Sequence, residues 1–205
     1  MIIGGFIMTR HKTFRLVVDA LMMAIVLLQN IVPFLGYIPL GPFSMTLIGL
    51  TVIVAGIALE PRDGALIGGF WGLITFVRAF TSPTSPVAPY VFTNPLVAIL
   101  PRLLMGLIAG YLYRWARQRW SSTNAMRLAA GVGALINSCL VLGMIYIFYQ
   151  TPQVAHAMGA TGGKTLGYVL MLSVLTNAIP ELLLDSLVAP LIARPLRHKW
   201  DCLKA

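Results

Sequence analysis

Long apolar stretches alternate with short breaks along the whole 205-residue chain, at about residues 13–33, 45–59, 64–80, 95–115, 126–149 and 166–192. An apolar helix of about 20 residues crosses a hydrocarbon layer of about 30 Å, so the pattern predicts six transmembrane helices, the second of them short. The breaks are of two kinds. Residues 33–44 (PFLGYIPLGPFS) and 81–94 (TSPTSPVAPYVFTN) are Pro-rich and uncharged, and 150–164 is a polar loop with Gly162 and Gly163. The alternate breaks are charged: Glu60-Pro61-Arg62-Asp63, then Arg114, Arg117 and Arg119, then a tail with Arg194, Arg197, His198 and Lys199. Residues 1–8 are apolar but too short to span, and read as an interfacial segment or a vector remnant.

Composition agrees with the pattern. The chain is 58% hydrophobic and only 10% charged, with a mean hydropathy of +0.84, where a soluble domain carries about 25% charged residues. The formal net charge of +9 does not form one basic stripe with interleaved aromatics, as a nucleic-acid surface would. It is sorted by side instead. With the N-terminus inside, 12 of the 15 Lys and Arg residues fall on the inner segments, leaving Arg78, Arg102 and Lys164 elsewhere. The positive-inside bias therefore predicts one domain of six helices with both termini in the cytoplasm. Trp71, Trp115 and Trp120 are expected near the membrane interfaces, and Tyr146, Phe148 and Tyr149 close the fifth helix as an aromatic belt.

Several function classes lose support. No GxxxxGK[ST] stretch is present, so the chain has no phosphate-cradling loop of that type. Three scattered histidines and two cysteines, Cys139 and Cys202, offer neither a metal-ligand spacing nor a disulfide framework, and no cofactor is called for. An intramembrane hydrolase needs a Ser–His pair, paired carboxylates or a metal set, and the only acids expected to be buried in helices are Glu181 and Asp185, one turn apart, with no mid-span histidine. The chain is therefore expected not to be an enzyme.

Polar groups inside apolar helices narrow the reading further. Arg102 lies within residues 94–106 (NPLVAILPRLLMG), about 10 Å down the helix from Pro95. Exposure of arginine to lipid is costly, so it must face a polar interior or a partner. Asn137 sits in the middle of the fifth span, and Asn177, Glu181 and Asp185 recur every four residues on the sixth, on one helical face. Two uses remain open. Arg102, Asn137, Asn177 and Glu181, with Asn94 and Arg78 nearer the outer side, line a site for an anionic solute. Alternatively Arg102 pairs structurally with Glu181, the asparagines bond between helices, and Arg78 snorkels outward. Asp185, near the expected inner end, reads as a solvated or capping charge, and His156 and Lys164 as solvated loop residues. Gly68, Gly69 and Gly72 predict close helix approach.

The first helix carries Ala20-Leu-Met-Met-Ala24, a flat strip suited either to internal packing or to docking another helix. This AxxxA strip, the stretch FSMTLIGLTVIVAGIALEPRDGALIGGFWGL, residues 94–106, Asn137 and the run from Asn177 to Glu181 together resemble the substrate-binding (S) components of energy-coupling factor vitamin transporters. The resemblance covers nearly the whole chain and is strongest toward the pantothenate-specific members; the alternatives are an S component for another vitamin such as folate, or a structural or assembly membrane protein without a transported ligand. A departure is Gly49, where a larger or polar residue is expected.

The resemblance implies an all-α, six-helix membrane bundle that captures a vitamin from outside, in a pocket closed by the loops after helices one, three and five. It implies delivery by toppling against a transmembrane coupling subunit, docked at Ala20 and Ala24, with two cytoplasmic ATPases driving the cycle. The expected location is the cell membrane.

Overall fold

The computed structural model describes residues 3–40, 43–160 and 165–204; Lys164, Gly162 and Gly163 lie outside this set. The long helices are α1 (Ile3–Ile31), α3 (Leu47–Ala58), α4 (Pro61–Thr81), α6 (Pro95–Ala116), α7 (Ser122–Phe148) and α10 (Ile179–Lys204). Short helices α2 (Pro33–Gly36), α5 (Ala88–Val91) and α8 (Pro152–Ala157) lie in the connections. Helix α9 (Leu166–Ser173) runs through a π-helical turn, Val174–Ala178, into α10. Five of these segments are long and apolar enough to cross a membrane, and α3 is shorter.

Boundaries differ from the sequence reading where capping and proline act. Helix α4 starts at Pro61, placing a proline in the first turn, where its missing N–H costs nothing. Helix α7 starts at Ser122, whose predecessor Ser121 accepts a hydrogen bond from the Asn124 amide. The last helix continues through Pro190 and Pro195 to Lys204, and Trp200 on that extension stacks on Phe14 at 5.9 Å. Helix α1 runs from Ile3, through the segment expected to stand apart. The connection at 33–46 holds a two-stranded antiparallel ribbon, β1 (Tyr37–Leu40) and β2 (Phe43–Thr46), pairing Tyr37 with Thr46.

Helix α3 is the centre. Ile48, Val52, Ile53, Ala55, Ile57 and Ala58 are wholly buried, and a helix that is apolar on every side belongs inside a bundle. That explains its length: surrounded by other helices, it need not match the lipid. Helices α4, α6, α7 and α10 pack around it, with the closest association between α4 and α6. A smaller apolar cluster, including Val91, Val97, Val141, Val154 and Val169, seals the loops onto the opposite end of α6, α7 and α9.

Glycines set the α4–α6 distance. A methyl group at Gly106 would stand 2.2 Å from the Gly64 carbonyl oxygen, and one at Gly68 would stand 2.2 Å from the Arg102 carbonyl oxygen. Gly72 is equally committed, 2.6 Å from Ile99 Cα by the same construction, whereas Gly69 meets only Leu103 Cδ1 at 3.8 Å. Two of the three glycines expected to permit close approach therefore do so.

The charged turn after α3 ties one end together, hereafter the charged end. Arg114 Nη2 donates to the Leu59 carbonyl at 3.0 Å and Arg197 Nη1 to the Ile57 carbonyl at 3.3 Å. These cations complete the carbonyls that the end of α3 leaves without helical donors. Arg15 of α1 bridges Glu60 at 3.0 Å and also bonds Asp63. The loop end, by contrast, holds the ribbon, α5 and α8.

Overpacking a close seam costs about 1–3 kcal/mol. Gly106→Ala is therefore expected to lower the thermal stability of the detergent-solubilised protein, while Gly69→Ala leaves it within about 0.5 kcal/mol of wild type. Size-exclusion monitoring after graded heating separates the two; equal stability would remove the seam from the account.

Candidate functional site

The site is built on a missing backbone donor. Pro101 lies inside α6 and has no N–H, so the Val97 carbonyl four residues earlier loses its helical partner. Arg102 supplies the replacement, with Nη1 donating to Val97 O at 2.6 Å. The side chain is thereby folded back along its own helix and held at 5% exposure. Gly68 and Gly72 bring α4 against this stretch and present Trp71, on the same helical face, to the guanidinium. Arg102 Cζ lies 5.4 Å from the Trp71 ring centroid and 4.8 Å from that of Phe92, within cation–π range of both.

This arrangement leaves donors unused. Arg102 Nε and Trp71 Nε1 are both buried and have no hydrogen-bond partner among the described residues. Arg102 and Glu181 are within electrostatic reach, but among the described residues no ion pair joins them. Glu181 instead accepts a hydrogen bond from Thr46, delivered by the ribbon. Gly49 adjoins this carboxylate: a methyl group there would lie 3.5 Å from Glu181 Oε1, in ordinary contact. A buried, partly satisfied cation caged by two rings has the chemistry to hold a carboxylate through charge-assisted hydrogen bonds.

The remaining candidates are distributed as follows. Asn137 and Asn177 each bury an amide oxygen that has no partner among the described residues. Asn177 sits in the π turn, where the Ile179 amide reaches back to the Val174 carbonyl. Pro180 follows immediately and cannot donate, a circumstance that favours such a widened turn. Asn94 caps α6, its Oδ1 accepting from the Leu96 amide at 3.0 Å. Arg78 does not snorkel away from the protein: it donates to the backbone carbonyl of Asn30 on α1.

Two expectations are corrected. Trp71 is 3% exposed and belongs to the core rather than to an interface belt, because it shares the face of Gly68 and Gly72. Asp185 is wholly buried rather than solvated, with neither carboxyl oxygen partnered among the described residues. Helix α10 extends well past the expected end, so Asp185 lies deeper than its spacing from residue 192 suggested. Trp71 and Thr46 are not singled out for the site by the sequence; the glycine spacing around Trp71 is the available signal for the first.

A narrow cleft with room for about one water-sized group lies beside this centre, between α1, α4 and α5, lined in part by Asn30, Tyr37, Arg78, Thr84 and Phe92. Burial raises the Tyr37 phenol above its ordinary value, against the opposing influence of Arg78, Arg102 and a hydrogen bond with Thr84, so it remains a neutral hydroxyl. On the other side of α1, Ala20 and Ala24 are exposed, flanked by the exposed Val17, Leu21 and Leu28.

Known proteins place the chain. Residues 14–193 match the family model described as "ECF transporter, substrate-specific component". The "Pantothenate transporter PanT" of Leuconostoc mesenteroides subsp. mesenteroides is 36% identical over 196 residues, covering 92% of this chain and 95% of that protein. The "Pantothenic acid transporter PanT" of Lactococcus lactis subsp. cremoris is 33% identical over 167 residues, covering 76% of this chain and 79% of that protein. An all-α bundle with several membrane-crossing helices, matched over nearly its whole length, is a multi-pass cell-membrane protein and belongs to the substrate-specific components of ECF transporters.

Proposed function

We propose that this chain is the pantothenate-capturing subunit of an ECF importer, and that Arg102 holds the vitamin's carboxylate. The observation that carries the reading is the buried Arg102 guanidinium, caged by Trp71 and Phe92, with Nε unpaired and no acid bonded to it among the described residues. The names of the two relatives supply the substrate. Pantothenate offers one carboxylate for Arg102 and hydroxyl and amide groups for Asn137, Asn177 and the Thr46–Glu181 pair. A folate-type solute calls for free aromatic faces, and the two rings nearest the site are already stacked on Arg102.

The loop end faces outward and both termini lie in the cytoplasm, in line with the inner placement of most Lys and Arg residues. Helix α1 docks on a transmembrane coupling subunit through Ala20 and Ala24. Their exposure on an outward, small-residue strip supports this use. Two cytoplasmic ATPases, partners of that subunit, drive toppling of the loaded bundle.

Calorimetry on the purified protein with pantothenate, folate, riboflavin, thiamine and biotin tests the substrate. Pantothenate alone is expected to bind, and binding of a different vitamin alone would reassign the pocket. A hydrogen bond to a charged group contributes about 1.5–3 kcal/mol, so Arg102→Ala is expected to weaken pantothenate binding by about 10- to 100-fold, more than Arg78→Ala does. Equal affinities would return Arg102 to a packing role.

Ala20→Trp and Ala24→Trp test the docking strip. Both are expected to abolish uptake by the assembled transporter while vitamin binding to the isolated subunit is retained. Undiminished uptake would place the docking face elsewhere.

A further inference from the structure

The cleft beside α1 is not the Arg102 cage, but the two share a wall. Thr84 is exposed at the mouth, and Asn30, at 2% exposure, is the most deeply buried of the polar lining residues. Asn30 Nδ2 is committed to the Val26 carbonyl at 2.8 Å, whereas its Oδ1 has no partner among the described residues. Arg78 is half-buried, holds the Asn30 backbone carbonyl, and among the described residues forms no ion pair. Phe92 belongs to both places, lining the cleft while its ring lies 4.8 Å from Arg102 Cζ. Tyr37 is within electrostatic reach of both arginines.

We propose that the mouth of this cleft is a capture subsite for the carboxylate of the solute, with Arg78 as first contact and Phe92 as the gate between it and Arg102. The inference rests on the reading of Arg102 as the carboxylate's final contact. Arg102 is too buried and too closely capped by rings to draw an anion from water. Arg78 is open enough to do so, and an anion moving from it to Arg102 passes one aromatic ring with a guanidinium on either side. Without those cations, moving a carboxylate past apolar surface is costly. The free Asn30 Oδ1 accepts a hydrogen bond from a neutral hydroxyl or amide N–H, so the subsite suits a small carboxylate that carries such a donor.

The distribution of acids favours the same route. The sequence has six, Asp19, Glu60, Asp63, Glu181, Asp185 and Asp201, and none lies in the segments 33–44, 81–94 or 150–164. Apart from Glu181, which accepts a hydrogen bond from Thr46 of the ribbon, Arg78 at the end of α4 meets no carboxylate from these segments, an arrangement that raises the association rate of anions and makes it fall with ionic strength.

Stopped-flow tryptophan fluorescence on the full chain in nanodiscs, mixed with pantothenate, reads the route, with Trp71 beside Arg102 as the reporter. Wild-type association is expected to slow as salt rises. Arg78→Gln is expected to slow association about tenfold, flatten its salt dependence and slow dissociation as well, because a way station speeds passage in both directions. Arg78→Lys restores the salt dependence. Thr84→Glu places a like charge at the mouth and is expected to slow association about tenfold while the protein, though without the Thr84–Tyr37 hydrogen bond, still folds.

Faster dissociation in Arg78→Gln with unchanged association would make Arg78 part of the final site and overturn the proposal. Unchanged association in Thr84→Glu would overturn it even where Arg78→Gln fails to fold. Absence of pantothenate binding by the wild-type protein would overturn the reading of Arg102 and the subsite together. Wild-type binding with both variants unchanged would overturn the subsite alone.

Discussion

The hydrogen bond from Arg102 to the Val97 carbonyl is the interaction on which the site depends. A proline inside a transmembrane helix frees one carbonyl, and in hydrocarbon that carbonyl must find another donor. Here the donor is the residue next to the proline, so a backbone defect and a buried charge offset each other. Neither is easily tolerated alone. Together they fix a guanidinium within the bundle while leaving part of its donor capacity free.

The surrounding helices serve that arrangement. The α4–α6 glycine seam places Trp71 beside the cation, α5 contributes its C-terminal neighbour Phe92, and the 37–46 ribbon brings Thr46 to Glu181. At the charged end, Arg114 and Arg197 complete the end of α3 and Arg15 fastens α1 to the following turn. Polar interactions thus concentrate at the two ends and at the Arg102 level, with apolar packing between.

Much of this was legible in the sequence. A lone arginine in an apolar run marks the site because a charge is rarely held at membrane depth without a polar partner or a solute to meet it. Small residues at four-residue spacing likewise mark a close seam. The partner of Arg102 was less legible: its discovery requires connecting Pro101 to the carbonyl four residues earlier. Trp71 was misplaced because aromatic residues are enriched at interfaces on average, while its own glycine neighbours pointed inward. Asp185 was misplaced because the end of α10 was drawn at the last apolar residues, and prolines in its final turns did not stop the helix. The π turn at Asn177 left only Pro180 as a trace.

The glycine seam has a mechanical consequence. With backbones of α4 and α6 in contact at Gly64, Gly68, Gly106 and Gly110, there is no layer of side chains between them to shear or repack. The two helices behave as one stiff plank, and relative sliding is denied to them. Deformation must be taken up elsewhere, chiefly by α1, whose span is the least buried of the bundle, and by the connections at the loop end. Amide hydrogen exchange along the plank should accordingly be the slowest in the molecule, and the cage of Arg102 travels as a fixed cargo hold through whatever motion the rest of the protein undergoes.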